Sequence, residues 1–353
     1  MTRFRVLAVG AGMAVDFWLP PLCARKDVEI VGIVEIEAGR ERAEAALTKY
    51  ELACGVYTDL SEAIAQTGAN LVANITPPLV HRQVAETALY AGCDVLGEKP
   101  LAESLEDAQA IVDAARAAGR QYVVMQNRRY APGLRALRAG IAAGLIGRPT
   151  FVTSDMFLAP HHYGGFREEE MASPLLLDMA IHTFDQARYL IGSNPVAVTC
   201  HEFNPESSWY AGNAAATCHF EFANGTVFSY RGCWVSEGCT TSFDSAWRVT
   251  GTEGNALWDG VGQPHAEVAV RTSEETYFLP TKAVAWPEAA QARDFTHHAE
   301  AIDAMLDTLA ADDIPETDCS DNLTSLLMTF AAIESARSGR TVRLDELTDS
   351  NRM

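Results

Sequence analysis

The sequence predicts an α/β protein of two domains, in which a doubly wound parallel sheet precedes an α+β domain with a large, open, mostly antiparallel sheet. Three observations lead to this fold class. A pair of glycines follows the first apolar run, strand-like and helical patterns then alternate as far as Asn127, and from about Arg148 strand-like runs follow one another directly. The length of 353 residues also favours two domains. We place them at residues 1–127 and 128–353.

Composition excludes several classes of partner. The formal net charge of −20 argues against nucleic acid or an anionic membrane surface, because both would be repelled. The N-terminal apolar run is too short for a signal sequence or a membrane span. Eight cysteines without any CxxC pair predict neither a disulfide framework nor a structural zinc site, which favours the cytoplasm.

The first domain opens with FRVLAVGAGMAVDFW, a buried strand that runs through glycines into a helix. Gly10 and Gly12 suit the tight turn and close backbone approach that a pyrophosphate needs at a helix N-terminus. The next strand ends at Glu35, about 20 residues further on, where a Rossmann site places a carboxylate for the adenosine ribose. Val15 replaces glycine or alanine at the sixth fingerprint position, and methyltransferases use a similar turn. This motif alone therefore leaves open both a dinucleotide site and a methyltransferase site.

Three further strand patterns follow, at 69–78, 93–100 and 121–127, with helical patterns at 81–92 and 104–119 between them. The alternation predicts a Rossmann-type parallel sheet, in which ligands lie at the carboxyl ends of the strands. The residues at or near these ends are Gly10, Gly12, Glu35, Thr76, Glu98, Lys99 and Asn127.

The second domain follows a linking helix and carries eight strand-like runs. They are TFVTSDMFL, VAVTCHEF, AATCHFEF, TVFSYRGCWV, SAWRVTGT, NALWDG, HAEVAVRT and ETYFLP. Asn224 and Gly225 form the hairpin signal between two alternating strands. Two helical patterns, near 294–310 and 319–338, complete the chain.

One helix, at 174–190, is enclosed within this second domain. Asp178, His182 and Asp185 fall opposite its apolar stripe. They predict either an ordinary solvated face with a weak Asp and His pair, or a polar face turned into an interdomain cleft.

The motifs, taken in order along nearly the whole chain, resemble the Gfo/Idh/MocA family of glucose-fructose oxidoreductase and inositol dehydrogenase. The matching segments are GAGMAV, ITPPLVH at 75–81, GEKPL at 97–101, PLLLDMAIHTFDQARYLIG at 174–192, GTEGNALWDG at 251–260 and AAIESARSGRTV at 331–342. The resemblance implies a catalytic set of Lys99, Asp178 and His182, and it implies that Arg128 contacts the substrate.

The resemblance also implies an NAD site and an oligomer formed through the open sheet, as a homodimer or homotetramer. The cofactor-binding positions are Gly10, Gly12, Met13, Ala14, Glu35, Thr76, Pro77, His81, Glu98, Lys99 and Asn127. NADP is expected to bind less well than NAD, because the charge of Glu35 would repel a 2′-phosphate.

These residue types suit the oxidation of a secondary alcohol. Such a reaction needs a base near the hydroxyl, for which neutral His182 is suited, and a cation such as Lys99 where alkoxide charge develops. Asp178 would orient the imidazole. The expected substrate is a sugar, inositol or related polyol.

A loop ahead of the enclosed helix supplies further substrate-binding candidates, although an ordinary polar loop explains it equally well. The candidates are His161, His162 and Tyr163, with Arg167 beside them. No metal is expected, although His161, Asp178 and His182 formally offer two histidines and a carboxylate.

Two other functions stay open at the level of sequence. An NAD-dependent glycoside hydrolase of the same fold would keep the cofactor as an internal redox group. A nucleotide-sensing relative would have lost the chemistry, although such a protein would have no need of Lys99, Asp178 and His182.

Overall fold

A computed structural model of the chain describes residues 2–161, 165–272 and 276–350. This part of the chain contains a six-stranded parallel sheet and a nine-stranded, mostly antiparallel sheet. The predicted fold class, with an N-terminal Rossmann sheet and a C-terminal α+β domain, is therefore confirmed. Within the same residues, no helix is both long enough and apolar enough to cross a membrane.

The chain divides into two compact units. The first unit contains residues 1–127 and 293–326, and the second contains residues 128–292 and 327–353. The first boundary falls after Asn127, and residues 293–326 return to the first unit.

The sheet of the first unit is wholly parallel. Its strands are β1 (Phe4–Val9), β2 (Val28–Val34), β3 (Gly55–Tyr57), β4 (Leu71–Asn74), β5 (Asp94–Gly97) and β6 (Tyr122–Val124). Their order across the sheet is β3-β2-β1-β4-β5-β6. The direction of winding reverses between β1 and β4, which is where open sheets of this kind bind their ligands.

Helices cover this sheet and continue through the second unit. They are α1 (Val15–Ala24), α2 (Arg40–Lys49), α3 (Leu60–Thr67), α4 (His81–Tyr90), α5 (Leu105–Ala118), α6 (Pro132–Ala142), α7 (Phe166–Glu169), α8 (Ile181–Ile191), α9 (His298–Ala310), α10 (Cys319–Ser338) and α11 (Leu344–Ser350). Helix α5 has the predicted caps, because the Ser104 hydroxyl accepts the Asp107 N–H and Gly119 ends the helix in the left-handed conformation.

Ionic and backbone contacts hold the returning segment in the first unit. Arg25, at the end of α1, pairs with Asp303 at 2.9 Å and with Asp307 at 2.8 Å, both on α9. Beyond α9, the Val124 N–H donates to the Thr317 carbonyl at 2.9 Å. These partners lie far apart in sequence, so no local pattern predicts them.

The sheet of the second unit uses most of the predicted runs. Its strands are β7 (Pro149–Phe157), β8 (Pro195–Phe203), β9 (Ala215–Phe222), β10 (Val227–Cys233), β11 (Ala246–Gly251), β12 (Gly254–Trp258), β13 (His265–Ala269), β14 (Thr281–Val284) and β15 (Val342–Arg343). Their order is β14-β13-β12-β11-β7-β10-β9-β8-β15. Only β7 and β10 pair in parallel among these described strands. The predicted hairpin at Asn224 and Gly225 joins β9 to β10, and Gly225 has a φ of +81°.

The last predicted strand is displaced. The described residues of ETYFLP, 276–280, form no strand, and the chain pairs with β13 through β14 instead. The large aromatic side chains in this run are exposed, with Tyr277 at 95% and Phe278 at 82%. The apolar composition that suggested a strand is therefore not buried in this sheet.

Helix α8 lies in the core of the second unit. The Phe184 ring lies 4.9 Å from the Phe220 ring and 5.3 Å from the Tyr230 ring, both on the sheet. Ten of its eleven residues are buried, and only Tyr189 is partly exposed. The prediction of an ordinary solvated face on this helix is therefore wrong, because the polar residues of α8 are buried as well.

The carboxyl group of Glu202, a residue of β8, lies against the chain ahead of this helix. Glu202 Oε2 accepts hydrogen bonds from the Ser173 hydroxyl at 3.0 Å and from the Asn213 amide at 3.4 Å. Within the described residues, its Oε1 is buried without a hydrogen-bond partner. Burial raises the pKa of Glu202 from 4.5 to about 7, against the lowering effect of the two hydrogen bonds.

This pKa predicts a pH dependence of stability. Since the folded state binds the Glu202 proton more tightly than the unfolded state, stability falls as the pH rises from about 4.5 to about 7. Glu202→Gln cannot ionise and should escape this loss. We expect its Tm to exceed that of the wild type by roughly 2 to 5 °C at pH 8, with the difference vanishing near pH 4.5.

Calorimetry of both proteins between pH 4.5 and 8 measures this difference. Glu221→Gln, at an exposed position on β9, is the matched control and should show a nearly constant difference. Parallel Tm profiles for the wild type and Glu202→Gln would contradict the assignment.

Candidate active site

The turn between β1 and α1 is shaped by close backbone contact. Gly10 has a φ of +96°, and a Cβ at this position would lie 2.9 Å from the Ile75 carbonyl oxygen, which follows β4. Only glycine fits there without displacing the neighbouring backbone. A Cβ on Gly12 would meet no described atom within 4 Å.

The same turn leaves backbone donors available. In the described part of the chain, the N–H groups of Gly12, Met13 and Ala14 donate to no acceptor. Three successive free amides at the start of a helix form a cradle for an anion, because the helix dipole adds to the attraction. The residues present therefore fit the pyrophosphate of a dinucleotide. Val15 is buried at the first position of α1, so its larger side chain is accommodated in the core.

Glu35 lies beside this turn, just beyond the end of β2. Its Oε2 accepts the Ala11 N–H at 2.8 Å, and its Oε1 accepts the Ile36 N–H at 2.9 Å. The Arg42 guanidinium lies 3.8 Å from Oε2. Each carboxylate oxygen can accept a second hydrogen bond. The carboxylate is thus fixed in place and still able to bind hydroxyl groups.

The loops after β4 and β5 are tied together by a buried histidine. The ring of His81 is fully buried, with Nε2 lying 2.8 Å from the Thr76 carbonyl oxygen and Nδ1 3.0 Å from that of Pro100. Burial lowers the pKa of His81, although the backbone contacts act in the opposite direction. A neutral imidazole carries one N–H, so His81 donates to one of these two carbonyls and only contacts the other. The ring thus lies between two loops that carry predicted site residues.

Five more predicted residues lie at this edge of the sheet. Thr76 is partly exposed and its hydroxyl donates to Asn74 Oδ1 at 2.6 Å, while Pro77 is exposed. Lys99 is partly exposed and follows Glu98, whose side chain is 15% exposed. Asn127 is buried, and its amide donates to the Thr296 carbonyl.

Sequence reasoning missed the partners of Glu98. Its Oε1 accepts the Trp18 indole N–H at 2.6 Å and lies 3.5 Å from His298 Nε2. Neither Trp18 nor His298 belongs to a recognisable motif. His298 also comes from the returning segment, so no sequence signal could have placed it beside Glu98.

In the second unit, Asp178 and His182 lie on a helix that begins irregularly. Residues Leu175–Ala180 form a π-helical turn, which continues directly into α8. Such turns are rare and frequent at functional sites. His182 is only 4% exposed, so an ordinary solvated histidine is excluded. Arg167 Nε lies 3.0 Å from Asp178 Oδ2, and this pairing was not predicted.

Two buried ion pairs flank this helix. Arg129 holds Asp185 with two parallel contacts, Nε to Oδ2 at 2.8 Å and Nη2 to Oδ1 at 2.6 Å. Arg128 donates to Asp244 Oδ1 at 3.0 Å, and both side chains are less than a tenth exposed. Asp185, which the sequence analysis assigned to a polar face with Asp178 and His182, therefore belongs to a structural pair.

The loop that carries Asp244 also went unrecognised. The Arg128 guanidinium lies 5.1 Å from the centroid of the Phe243 ring, and the hydroxyls of Ser245 and Thr183 lie 3.3 Å apart. Ser245 adopts a φ of +65°, which is unusual for serine. The loop lies between two predicted strands and carries no motif, so only its position in the fold reveals it.

The predicted substrate loop is described only in part. His161 stacks on Trp209 with ring centroids 4.0 Å apart, and its Nε2 lies 3.1 Å from Glu237 Oε1. His162 and Tyr163 lie outside the described residues. Among residues 2–161, 165–272 and 276–350, no group of three histidine, cysteine or acidic side chains is arranged to hold a metal ion.

Comparison with known proteins agrees with this architecture. Residues 4–126 match the family model of the oxidoreductase family with an NAD-binding Rossmann fold, and residues 134–257 match the GFO/IDH/MocA C-terminal domain. The 1,5-anhydro-D-fructose reductase of Ensifer adhaerens is 26% identical over 96% of this chain and 97% of its own length. The scyllo-inositol 2-dehydrogenase (NAD(+)) of Bacillus subtilis is 25% identical over 81% of each chain.

A solved structure extends the likeness to the whole fold. An oxidoreductase from Agrobacterium radiobacter, crystallised with NAD+, L-tartaric acid and magnesium, has a TM-score of 0.84 at 22% identity, covering 98% of this chain and 100% of that one. The two family models together match most of the sequence, and the chain belongs to the Gfo/Idh/MocA family of NAD-binding oxidoreductases.

Proposed function

We propose that this oxidoreductase is an NAD-dependent dehydrogenase that transfers a hydride between a sugar, inositol or related polyol and nicotinamide. The observation that carries the proposal is the burial of His182, 4% exposed, one turn after an Asp178 that an arginine holds in place. A buried histidine with a nearby carboxylate is suited to general-base catalysis. The names of the relatives, which include D-apiose dehydrogenase and scyllo-inositol 2-dehydrogenase, support this substrate class.

The proton-transfer set is Lys99, Asp178 and His182. NAD, when bound, would supply the acceptor for the hydride that leaves the carbinol carbon. His182 takes the hydroxyl proton, and Asp178 orients the imidazole and stabilises its protonated form. Lys99 stabilises the negative charge that develops on the substrate oxygen. Arg167 keeps the Asp178 carboxylate in a fixed position.

The cofactor-binding residues divide into contacts and supports. The amides of Gly12, Met13 and Ala14 bind the pyrophosphate, Gly10 allows the turn, and Glu35 binds the ribose hydroxyls. Thr76, Pro77, Lys99 and Asn127 are the residues that would hold the nicotinamide half. His81 and Glu98 support the site indirectly, because their polar atoms already contact the backbone of the surrounding loops.

The pair of Arg128 and Asp244 fits an uncharged, hydroxyl-rich substrate. A guanidinium offers only donors and a carboxylate only acceptors, so the pair can bind neighbouring hydroxyls in both directions. Its own charges cancel, which disfavours a charged ligand. His161, His162 and Tyr163 are proposed to complete the substrate pocket.

The expected location is the cytoplasm, since all eight cysteines are free thiols in the structure.

Kinetics of single variants test the catalytic roles. His182→Ala should lower kcat by roughly 10² to 10⁴, because it removes the base, while the Kd for NAD stays nearly unchanged. Lys99→Ala should be similarly severe. Asp178→Asn should cost less, because the base remains in place. NADH formation at 340 nm with a panel of sugars and polyols, alongside NAD titration, measures these effects.

His265→Ala is the matched control, because this histidine is exposed on β13 of the same unit. A His182→Ala enzyme with near-normal kcat would refute the assignment. Cleavage of glycosides without net NADH formation would indicate the hydrolase instead.

Cofactor preference follows from the position of Glu35. We expect kcat/KM to be higher with NAD than with NADP, because a 2′-phosphate would lie against the Glu35 carboxylate. Glu35→Ser should narrow the difference, since Arg42 would then offer the phosphate an unopposed cation. Glu37→Ser, two residues further on and paired with Arg40, is the control and should leave the ratio unchanged. A higher kcat/KM for NADP in the wild type would refute the role of Glu35.

A homodimer or homotetramer is expected to form through the open face of the second sheet. Phe151 and Val227 are directly paired on β7 and β10, and they are 42% and 37% exposed. Light scattering at micromolar concentration should give a mass above the 38.3 kDa of one chain. Val227→Glu should shift the mass towards the monomer, whereas Tyr90→Glu on α4 should not. A monomeric wild type would contradict the prediction.

A further inference from the structure

The turn before α9 is held in one conformation by a network of hydrogen bonds. Asp294 Oδ1 accepts the N–H and the hydroxyl of Thr296 at 2.8 and 2.7 Å, and its Oδ2 accepts the Ala299 N–H at 3.1 Å. His297 adopts a φ of +61°, a left-handed conformation that is uncommon for histidine. The turn is therefore shaped to fix the first residue of the helix, His298.

The hydrogen bonds of this turn decide the orientation of the His298 ring, which is 6% exposed. Its Nδ1 lies 2.9 Å from the Thr296 hydroxyl oxygen. A hydroxyl has one proton, and this proton is already donated to Asp294, whose carboxylate can only accept. Nδ1 is therefore suited to donate to Thr296, and the Asn127 amide nitrogen lies 3.4 Å from the same ring nitrogen. The other ring nitrogen, Nε2, is left to face Glu98 Oε1 at 3.5 Å.

Glu98 meets this nitrogen as a carboxylate. Burial acts to raise the pKa of Glu98, but His298, the Trp18 indole N–H and the charge of Lys99 outweigh it and hold the pKa below its usual value. The Nε2 edge of the His298 ring and the Glu98 carboxylate therefore face each other at 3.5 Å, and both belong to the buried surroundings of Lys99.

The pair acts on Lys99 through the backbone. Glu98 Oε2 accepts the Lys99 N–H at 3.1 Å, so a fixed Glu98 also fixes the start of the Lys99 side chain. The same turn holds Asn127, whose amide donates to the Thr296 carbonyl. One turn from the returning segment therefore braces the carboxyl ends of both β5 and β6.

We propose that His298 is a positioning residue of the reaction, which holds Glu98 and through it sets the position and electrostatic environment of Lys99. The proposal deepens the dehydrogenase function and rests on it where Lys99 is taken to stabilise the substrate oxygen. His298 itself touches neither cofactor nor substrate in this role. Its effect is transmitted by one carboxylate and one backbone N–H.

Two substitutions and a control test this role by kinetics. His298→Leu should lower kcat about 10- to 100-fold, the usual scale for removing a polar partner from a buried charged group, with KM for the polyol and Kd for NAD changed less than about twofold. His298→Gln keeps a donor at this position and should recover part of the loss. Phe17→Leu truncates the ring stacked 5.6 Å from His298 without contacting Glu98, and it should keep kcat. The proposal is overturned if His298→Leu keeps kcat, or if Phe17→Leu loses as much at a matched Tm.

A second measurement needs no substrate. The chain has four lysines, Lys26, Lys49, Lys99 and Lys282, so reductive methylation with ¹³C-formaldehyde gives few signals. The Lys99 signal is identified by its absence in Lys99→Arg. It should shift in His298→Leu and stay in place in Phe17→Leu, while the other three lysines are unaffected.

An unchanged Lys99 signal in His298→Leu would overturn the positioning role. If no sugar or polyol of the panel leads to NADH formation by the wild type, the proposed function fails. The Lys99 signal still tests whether His298 positions Lys99.

Discussion

The backbone contact between Gly10 and the Ile75 carbonyl is the constraint on which the first unit depends. It brings the end of β1 against the end of β4 more closely than any side chain would allow. Among the residues that the structure describes, the N–H groups of Gly12, Met13 and Ala14, in the turn that follows, donate to no acceptor. The tight turn therefore lies beside three backbone donors at the start of α1.

Side-chain contacts hold other strand ends and loops together along the same edge of the sheet. Glu35 ties the end of β2 to the glycine turn, and His81 ties the loop after β4 to the loop after β5. Each of these groups is at least largely buried, where a polar atom without a partner would be costly. The loops that carry the site are therefore restrained by the need to satisfy hydrogen bonds, in addition to apolar packing.

The second unit achieves rigidity with buried charge. Arg129 and Asp185 lie almost wholly out of water, and removing one partner of such a pair typically costs about 3 to 5 kcal/mol. Their contact fixes α8 against the turn that begins this unit. The π-helical turn is thereby joined to a firmly held helix, which limits the movement open to Asp178 and His182. Arg128, which directly precedes Arg129, forms a second buried ion pair with Asp244.

The sequence by itself determined the class of both sheets, the glycine turn, the caps of α5 and the Asn224 and Gly225 hairpin. These features follow from periodicity and turn chemistry, which are properties of neighbouring residues. Order and spacing of the motifs were also sufficient to identify the family. The proposed roles of Lys99, Asp178 and His182 depend on the same order and spacing of the motifs.

Only the tertiary structure decided which charges are buried together. The sequence placed Asp185 on a polar face, but a partner 56 residues away encloses it, and His298 reaches the first unit 171 residues after Asn127. Pairing over such distances depends on how the whole chain packs. Once the chain packs, buried polar groups must find partners, and this requirement leaves no trace in local sequence patterns.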